Sequence, residues 1–236
     1  MPARKPKSGV NPPRLPATLP VAASPLDELP ADGETCAGVE LQRADLSGRA
    51  IARPHFDTVI FTQVIATGVH FDHLRAEDVR FSGCNLANAV WPDAVCSRLE
   101  FFGCRMTGFS AQEGEFADVV FRDCKLDLAQ FYHINLRGAR FEDCPLTGGD
   151  LRGADLTGAV LARCDLSGAD LTGAALAGVD LRTCMIDGMR IGPQELRGAT
   201  VDGAGGGARP CDGHHRRVAP RRGATTHGGC DQCRPA

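Results

Sequence analysis

The 236-residue sequence is short of the features that mark a membrane protein or an enzyme. It has one Trp and one Tyr, and no stretch approaches the roughly 20 consecutive apolar residues that a membrane-spanning helix needs. The motifs GxSxG, HExxH and GxxxxGK[ST] are absent, as is a GxGxxG that opens a helix. These absences favour a non-enzymatic protein that does not enter the membrane, and we expect no cofactor and no metal site.

The N-terminal segment, residues 1–35, lacks the composition of a regular element. Prolines at positions 2, 6, 12, 13, 16, 20, 25 and 30 exclude a continuous helix or a central strand. They also interrupt the apolar run that a signal peptide would require after Arg4, Lys5 and Lys7. We therefore predict a Pro-rich flexible leader on a cytoplasmic protein.

The C-terminal segment, residues 202–236, has no Leu, Ile, Phe, Met, Trp or Tyr and is rich in Gly, Arg, Pro and His. Such a composition cannot form a core, so we predict a Gly/Arg-rich disordered tail. The change at residue 202 is so abrupt that we also hypothesise a non-native tail. Cys230, Cys233 and His227 resemble half of a zinc site, but one CxxC pair without a second pair is a weak signal.

A five-residue pattern occupies the part of the chain between these two segments. Within 149–181 an apolar residue stands at every fifth position, and the same count continues without a slip from Leu41 to Val201. These 33 positions, (201 − 41)/5 + 1, are called centres below, and all of them are non-polar. A period of five fits neither the 3.6 residues of a helix nor the 2 of a strand. The chain must therefore turn a corner at every repeat.

The repeat reads A-(D/N)-(L/F)-(S/T/R)-G, and with it the sequence resembles the pentapeptide-repeat family. The resemblance extends from Cys36 to Val201, about 70% of the chain. It implies an all-β protein whose fold is a right-handed quadrilateral parallel β-helix, a solenoid in which four pentapeptides make one coil. Thirty-three repeats correspond to about eight coils. The predicted organisation is a leader at 1–35, the β-helix at 36–201 and the tail at 202–236.

Grouping the centres by twenties supports four repeats to a coil, because it sorts them by size. One group places five phenylalanines in succession, which predicts a stacked aromatic column inside the solenoid. The predicted structural core comprises Phe61, Phe81, Phe101, Phe121, Phe141, Leu151, Leu156, Leu166 and Leu171. Two places where the coil is expected to bulge are Trp91-Pro92 and the run from Ala111 to Glu115.

Six cysteines are spaced by 20 residues, which is one coil. They predict an inward-pointing cysteine ladder of Cys84, Cys104, Cys124, Cys144, Cys164 and Cys184. Parallel Cβ atoms about 4.8 Å apart are too distant for unstrained disulfides. A single column also cannot surround a metal ion tetrahedrally. We interpret these residues as buried thiols that fill space, with redox sensing and metal binding as the less favoured readings.

Aspartates recur at the outward position just before the centre. A short polar side chain there can bond to the backbone of the turn, which explains their frequency. Residues 36–201 contain 22 acidic and 16 basic residues, a net charge of −6. An acidic interaction surface is therefore a second reading of these aspartates, and its candidates are Asp150, Asp155, Asp165, Asp170 and Asp180.

Two function hypotheses follow from the surface. The first is a rigid protein-interaction scaffold. The second comes from the resemblance: the gyrase-binding, quinolone-resistance members of the family imply a DNA-mimicking binder of a type II topoisomerase, which regulates gyrase or protects it from quinolones. Both predict protein partners and no direct contact with nucleic acid or membrane. An uncapped last coil, backed by Leu196 and Val201, also predicts a homodimer through the C-terminal end.

Overall fold

The computed structural model describes residues 9–23 and 29–201, and in these ranges the chain folds into a parallel β-solenoid. The described residues contain no helix, so none of them forms a helix that could cross a membrane. The predicted tail at 202–236 lies outside the described residues. The ten strands are β1 (Thr35–Ala37), β2 (Glu40–Gln42), β3 (Ala50–Ala52), β4 (His55–Thr62), β5 (His70–Asp72), β6 (Arg75–Ser82), β7 (Val95–Phe102), β8 (Glu115–Arg122), β9 (Arg140–Glu142) and β10 (Val160–Ala162).

All strand pairs are parallel, and the partners are 20 residues apart in the sequence. The larger sheet runs β1-β4-β6-β7-β8-β9-β10, with β2 also paired to β4, while β3 and β5 form a second sheet. Single bridges with the same 20-residue offset continue the walls where no strand is assigned, as between Asp150 and Asp170. Each coil therefore binds the next through backbone hydrogen bonds, as expected of a solenoid.

The solenoid completes seven coils from Thr35 to Ala175, slightly fewer than the expected eight. The column that begins at Thr35 has eight levels, which gives seven coil-to-coil steps: Thr35, His55, Arg75, Val95, Glu115, Asn135, Asp155 and Ala175. The segment after Leu181 is looser, with Met185 and Ile186 largely exposed. The prediction of a parallel β-helix made of 20-residue coils is confirmed.

The backbone conformation at the corners of the coil explains why glycine is frequent at the fifth position of the repeat. From Gly33 to Gly198, every fifth residue except Thr183 and Pro193 has a left-handed φ between 50° and 82°. Glycine adopts this conformation without a Cβ clash, which accounts for its frequency in the sequence. Sixteen other residues, among them Thr58 and Leu128, take the same φ. At these positions the stacking of coils outweighs the intrinsic backbone preference.

The interior is a stack of apolar side chains. Along the phenylalanine column, ring centroids are 4.5 Å apart between Phe61 and Phe81 and 4.7 Å apart between Phe121 and Phe141, with nearly parallel planes. These separations match the spacing of about 4.8 Å between adjacent strands, so one ring sits on each coil. All the predicted core residues are buried, with at most 3% of their surface exposed.

The coil does not bulge at Trp91 or at 111–115. The left-handed corners at Asp93 and Glu113 keep the five-residue register, so the expected bulges are wrong. Room for the fully buried indole comes instead from the next coil, where the same column holds Ala111. Phe109 fills the remaining space and meets Trp91 edge to face at 4.9 Å. A large and a small residue thus alternate across neighbouring coils, as close packing requires.

Candidate functional site

The five aspartates predicted to form an acidic surface all have the same role in the backbone. Each accepts a hydrogen bond from the backbone N–H two residues further on, at 2.9 to 3.1 Å. This is the Asx-type turn contact expected at the outward position. The contacts are Asp150 with Arg152, Asp155 with Thr157, Asp165 with Ser167, Asp170 with Thr172, and Asp180 with Arg182.

Arginines compensate the charge of four of these five aspartates. The ion pairs are Asp150–Arg152 (2.7 Å), Asp155–Arg137 (2.9 Å), Asp170–Arg190 (3.0 Å) and Asp180–Arg182 (2.6 Å). The guanidinium of Arg182 lowers the pKa of Asp180 to about 2, and that of Arg152 lowers the pKa of Asp150. Both carboxylates are ionised at neutral pH, but each has a cation beside it.

The solenoid does not bring these aspartates together on one wall. Asp150 and Asp170 are neighbours in one column, whereas Asp155, Asp165 and Asp180 belong to three other columns. Elsewhere the exterior repeats the pairing of opposite charges between coils, as in Arg80–Glu100 and Arg122–Glu142. The outer surface is a mosaic of ion pairs and contains no continuous acidic stripe along these residues.

The six cysteines of the ladder stack on the inside of one column. Each Sγ donates to the backbone carbonyl of the centre 23 residues earlier, at 3.4 to 3.6 Å: Cys84 to Phe61, Cys104 to Phe81, Cys124 to Phe101, Cys144 to Phe121, Cys164 to Phe141 and Cys184 to Leu161. Five of the six are buried, and Cys184 is half-buried. No group of His, Cys, Asp and Glu suited to a metal ion occurs among residues 9–23 and 29–201.

The cysteine thiols differ in pKa and in burial, and both properties affect their reactivity. Contacts with the thiols of Cys124 and Cys84, followed by burial, raise the pKa of Cys104. At the end of the ladder, the contact with Cys164 lowers the pKa of Cys184 to about 7. Away from the ladder, burial alone raises the pKa of Cys96. Contact with Cys104 also lowers the pKa of Cys124 and of Cys84, but both of these thiols are buried. Because the nucleophile is a thiolate that the reagent can reach, the half-buried Cys184 is the reactive cysteine of the ladder.

We expect iodoacetamide to modify Cys184 of the folded protein at a rate that rises as the pH increases through about 7. Peptide mass spectrometry after short exposures at pH 6, 7, 8 and 9 would measure it, with Cys96 as the internal control. Cys96 is expected to stay unmodified because it is buried and its thiol keeps its proton. Equal modification of the two cysteines, or a rise for Cys184 only near pH 9, would contradict this assignment.

The N-terminal segment 9–23 contacts the outside of the solenoid, which the sequence analysis did not predict. We call this segment the strap. Its first anchor is Val21, which bridges to Glu40, while Glu40 N–H donates to Pro20 O at 2.9 Å. Closer to the N-terminus, the Arg14 N–H donates to Asp78 Oδ1 at 2.7 Å. Asn11 then binds Asp118 twice, through its backbone N–H (3.1 Å) and through Nδ2 (2.8 Å).

Asp78 is the centre of the polar contacts under the strap. Arg98, from the next coil, donates to Asp78 through Nε at 2.6 Å and through a terminal nitrogen at 2.7 Å, and it also pairs with Glu77. These bonds from Arg98, together with the N–H of Arg14, lower the pKa of Asp78 against the opposing effect of burial. The carboxylate is thus ionised, nearly buried, and held in a fixed orientation toward the strap.

Asp78, Arg98 and Asp118 occupy the same corner in three successive coils, and we call this corner the strap groove. Here the strands β6, β7 and β8 run eight residues without interruption. From Gly138 onward the same corner is a glycine. The sequence carries one usable signal of the groove, the non-glycine residues at positions 78, 98 and 118, but the strap that fills it could not be inferred from that.

The family model described as the pentapeptide repeat region matches residues 114–191. No curated protein matches the sequence. Among solved structures, HetL, a pentapeptide repeat protein involved in heterocyst differentiation regulation from the cyanobacterium Nostoc, is 16% identical over 71% of this chain and 87% of its own, with a TM-score of 0.34. Full-length QnrB1, a plasmid-mediated fluoroquinolone resistance protein, is 18% identical over 73% of this chain and 86% of its own, with a TM-score of 0.33.

The fold and the unbroken register define a parallel β-solenoid protein built from five-residue repeats. Within this solenoid, residues 114–191 match the family model of the pentapeptide repeat region. At these identities and scores, the likeness to HetL and QnrB1 carries no information on what this chain binds.

Proposed function

We propose that the protein is a non-enzymatic scaffold that binds protein partners on the outer walls of its solenoid. The observation that carries the proposal is the division between inside and outside. Apolar side chains and thiols fill the interior, whereas ionised groups lie on the outer walls, held by backbone and arginine contacts. Recognition by such a protein depends on its surface, since the packed interior offers no space for a substrate.

Rigidity makes these walls suited to protein binding. Every coil is hydrogen-bonded to the next, so a bound partner would order few residues of the scaffold. Several charged side chains on the walls are also held in ion pairs between coils, such as Arg163 with Asp143 at 2.6 Å. Surfaces ordered in advance lose less entropy on binding than flexible ones.

The alternative function is a DNA-mimicking binder of gyrase, and the acidic excess of the repeat region supports it. Seven coil-to-coil steps at about 4.8 Å extend about 34 Å, over which duplex DNA carries about 20 charges. The net charge of the repeat region is −6, from 22 acidic and 16 basic residues. Nine of the acidic residues pair with arginine. This charge density is a fraction of that of a duplex, which favours the scaffold.

A supercoiling assay with purified gyrase separates the two functions. The full chain is titrated with and without a fluoroquinolone, and a 20-fold excess of an unrelated acidic protein serves as the charge control. For a scaffold we expect no change in supercoiling and no protection from the drug. Inhibition or protection at low micromolar protein, absent with the control, would reject the scaffold in favour of the gyrase binder.

A further inference from the structure

The strap contacts the solenoid with a regular spacing. Asn11 and Arg14 are three residues apart, and the aspartates that accept their N–H groups, Asp118 and Asp78, are two coils apart. Three residues of an extended polyproline-type chain advance about 9.3 Å, and two coils advance about 9.6 Å. The repeat of the peptide therefore matches the repeat of the solenoid.

The sequence of the strap keeps it in this conformation. Pro12 and Pro13 separate the two donor residues, and each fixes φ near −65°. A proline also pushes the residue before it toward the extended region, which applies here to Asn11 and Pro12. Because proline has no N–H, the backbone donors of this segment are Asn11 and Arg14, and both are bound. A segment of the form donor-Pro-Pro-donor is already extended, so it loses little conformational entropy when it binds the groove.

The groove has its acceptors in place before a peptide arrives. Arg98 binds both oxygens of Asp78 from the coil between the two aspartates, so the carboxylate is oriented by the solenoid. A charged acceptor facing a backbone N–H makes a stronger hydrogen bond than a neutral one. Both contacts to the aspartates use backbone N–H groups, and Asn11 adds one side-chain donor. Other extended segments with the same donor spacing would satisfy the groove equally well.

Beyond the strap, the surface continues as an open groove. Its lining includes Gly9 and Val10 of the strap, then Gly138, Gly158 and Gly178 at the same corner of the later coils. Among the described residues, the glycines at these corners have no side chain to cover the backbone. Arg137 and Arg140 line one side of this part.

We propose that the strap groove binds an extended proline-rich segment of a partner protein, with N–H donors three residues apart, and that the strap is its competitor within the chain. This inference rests on the scaffold function and names the chemical class of its partner. The strap occupies the groove until a partner segment displaces it. That segment must make better contacts than the strap, or have a higher effective concentration at the groove than the strap has. Binding is therefore set by the competition between two segments of the same type.

The test weakens the strap and leaves the groove intact. In the full chain, Arg14→Pro removes the N–H that reaches Asp78 but preserves the extended backbone, while Ala17→Pro is the matched control outside the two aspartate contacts. The probe is a fluorescein-labelled peptide of residues 8–20, SGVNPPRLPATLP. Fluorescence anisotropy measures its affinity for each chain, and circular dichroism verifies that each chain is folded.

We expect the Arg14→Pro chain to bind the peptide at least about tenfold more tightly than the wild type or the Ala17→Pro chain. The reason is that the strap of the Arg14→Pro chain has lost one charge-assisted hydrogen bond and competes less well for the groove. The same peptide with proline at Arg14 should bind about tenfold more weakly. Adding Asp118→Ala to the Arg14→Pro chain should also weaken binding.

Equal affinity of the two peptides, or equal affinity of the wild-type and Arg14→Pro chains, would overturn the proposal. Concentration-dependent dimers of the wild-type chain in light scattering, lost in Arg14→Pro, would overturn the assignment of a partner, because the occupant would then be the strap of a second copy. Neither outcome bears on gyrase, so failure here is distinguishable from failure of the scaffold function.

Discussion

Phe101→Asp will abolish cooperative folding of the central coils. Phe101 is fully buried and stacks on Phe81 and Phe121 with centroid distances of 4.9 Å. Removing the ring loses about 3–5 kcal/mol, and burying an unpaired carboxylate costs several kcal/mol more. The sum approaches the 5–15 kcal/mol that stabilises an ordinary domain. Thermal unfolding followed by circular dichroism measures the loss.

The matched control is Phe102→Asp, the same substitution one residue further along β7. The Phe102 side chain points outward and is 48% exposed, and its neighbour in the next coil is Arg122. We expect its free energy of unfolding to change by no more than about 1 kcal/mol, as is usual for surface positions. If both variants unfolded at the same temperature, the inward and outward register of this wall would be wrong.

Gly114→Ala will destabilise the solenoid by about 3 kcal/mol, although it adds one methyl group. A Cβ at Gly114 would lie 2.8 Å from Phe116 Cε2, 3.2 Å from the carbonyl oxygen of Ala94 and 3.3 Å from that of Ala111. Both carbonyls are backbone groups, that of Ala94 in the preceding coil and that of Ala111 in the coil of Gly114 itself, so they cannot move aside without shifting the coil. The expected loss is purely steric, because Gly114 does not have a left-handed φ. Urea denaturation at equilibrium measures it.

Gly138→Ala separates this steric effect from backbone strain. Gly138 has φ 69° and open space around the position of a Cβ. Alanine there meets only the cost of the left-handed conformation, about 1 kcal/mol. A loss at Gly138 as large as that at Gly114 would mean that corner geometry, and not packing between coils, limits stability. The two variants together rank the constraints on the repeat.

Much of the fold follows from the five-residue pattern alone. The stacked phenylalanines, the left-handed corners and the inward cysteines are all consequences of one register, and each coil repeats the environment of the last. The homodimer through the C-terminal end, in contrast, stays a prediction. Its candidate contact residues, Leu196 and Val201, lie in the looser segment after Leu181. The pattern also misled at Trp91, because size compensation by Ala111 depends on a residue 20 positions away.

The sequence by itself determined the solenoid, because a period of five leaves an apolar chain no other way to bury its centres. Tertiary structure alone decided the surface. Arginines from neighbouring coils neutralise aspartates that the sequence offered as an acidic interface. A proline-rich segment predicted to be flexible contains Asn11 and Arg14, which bind aspartates 107 and 64 residues away. Such contacts depend on the distance between coils, which is a property of the folded chain and not of any local stretch.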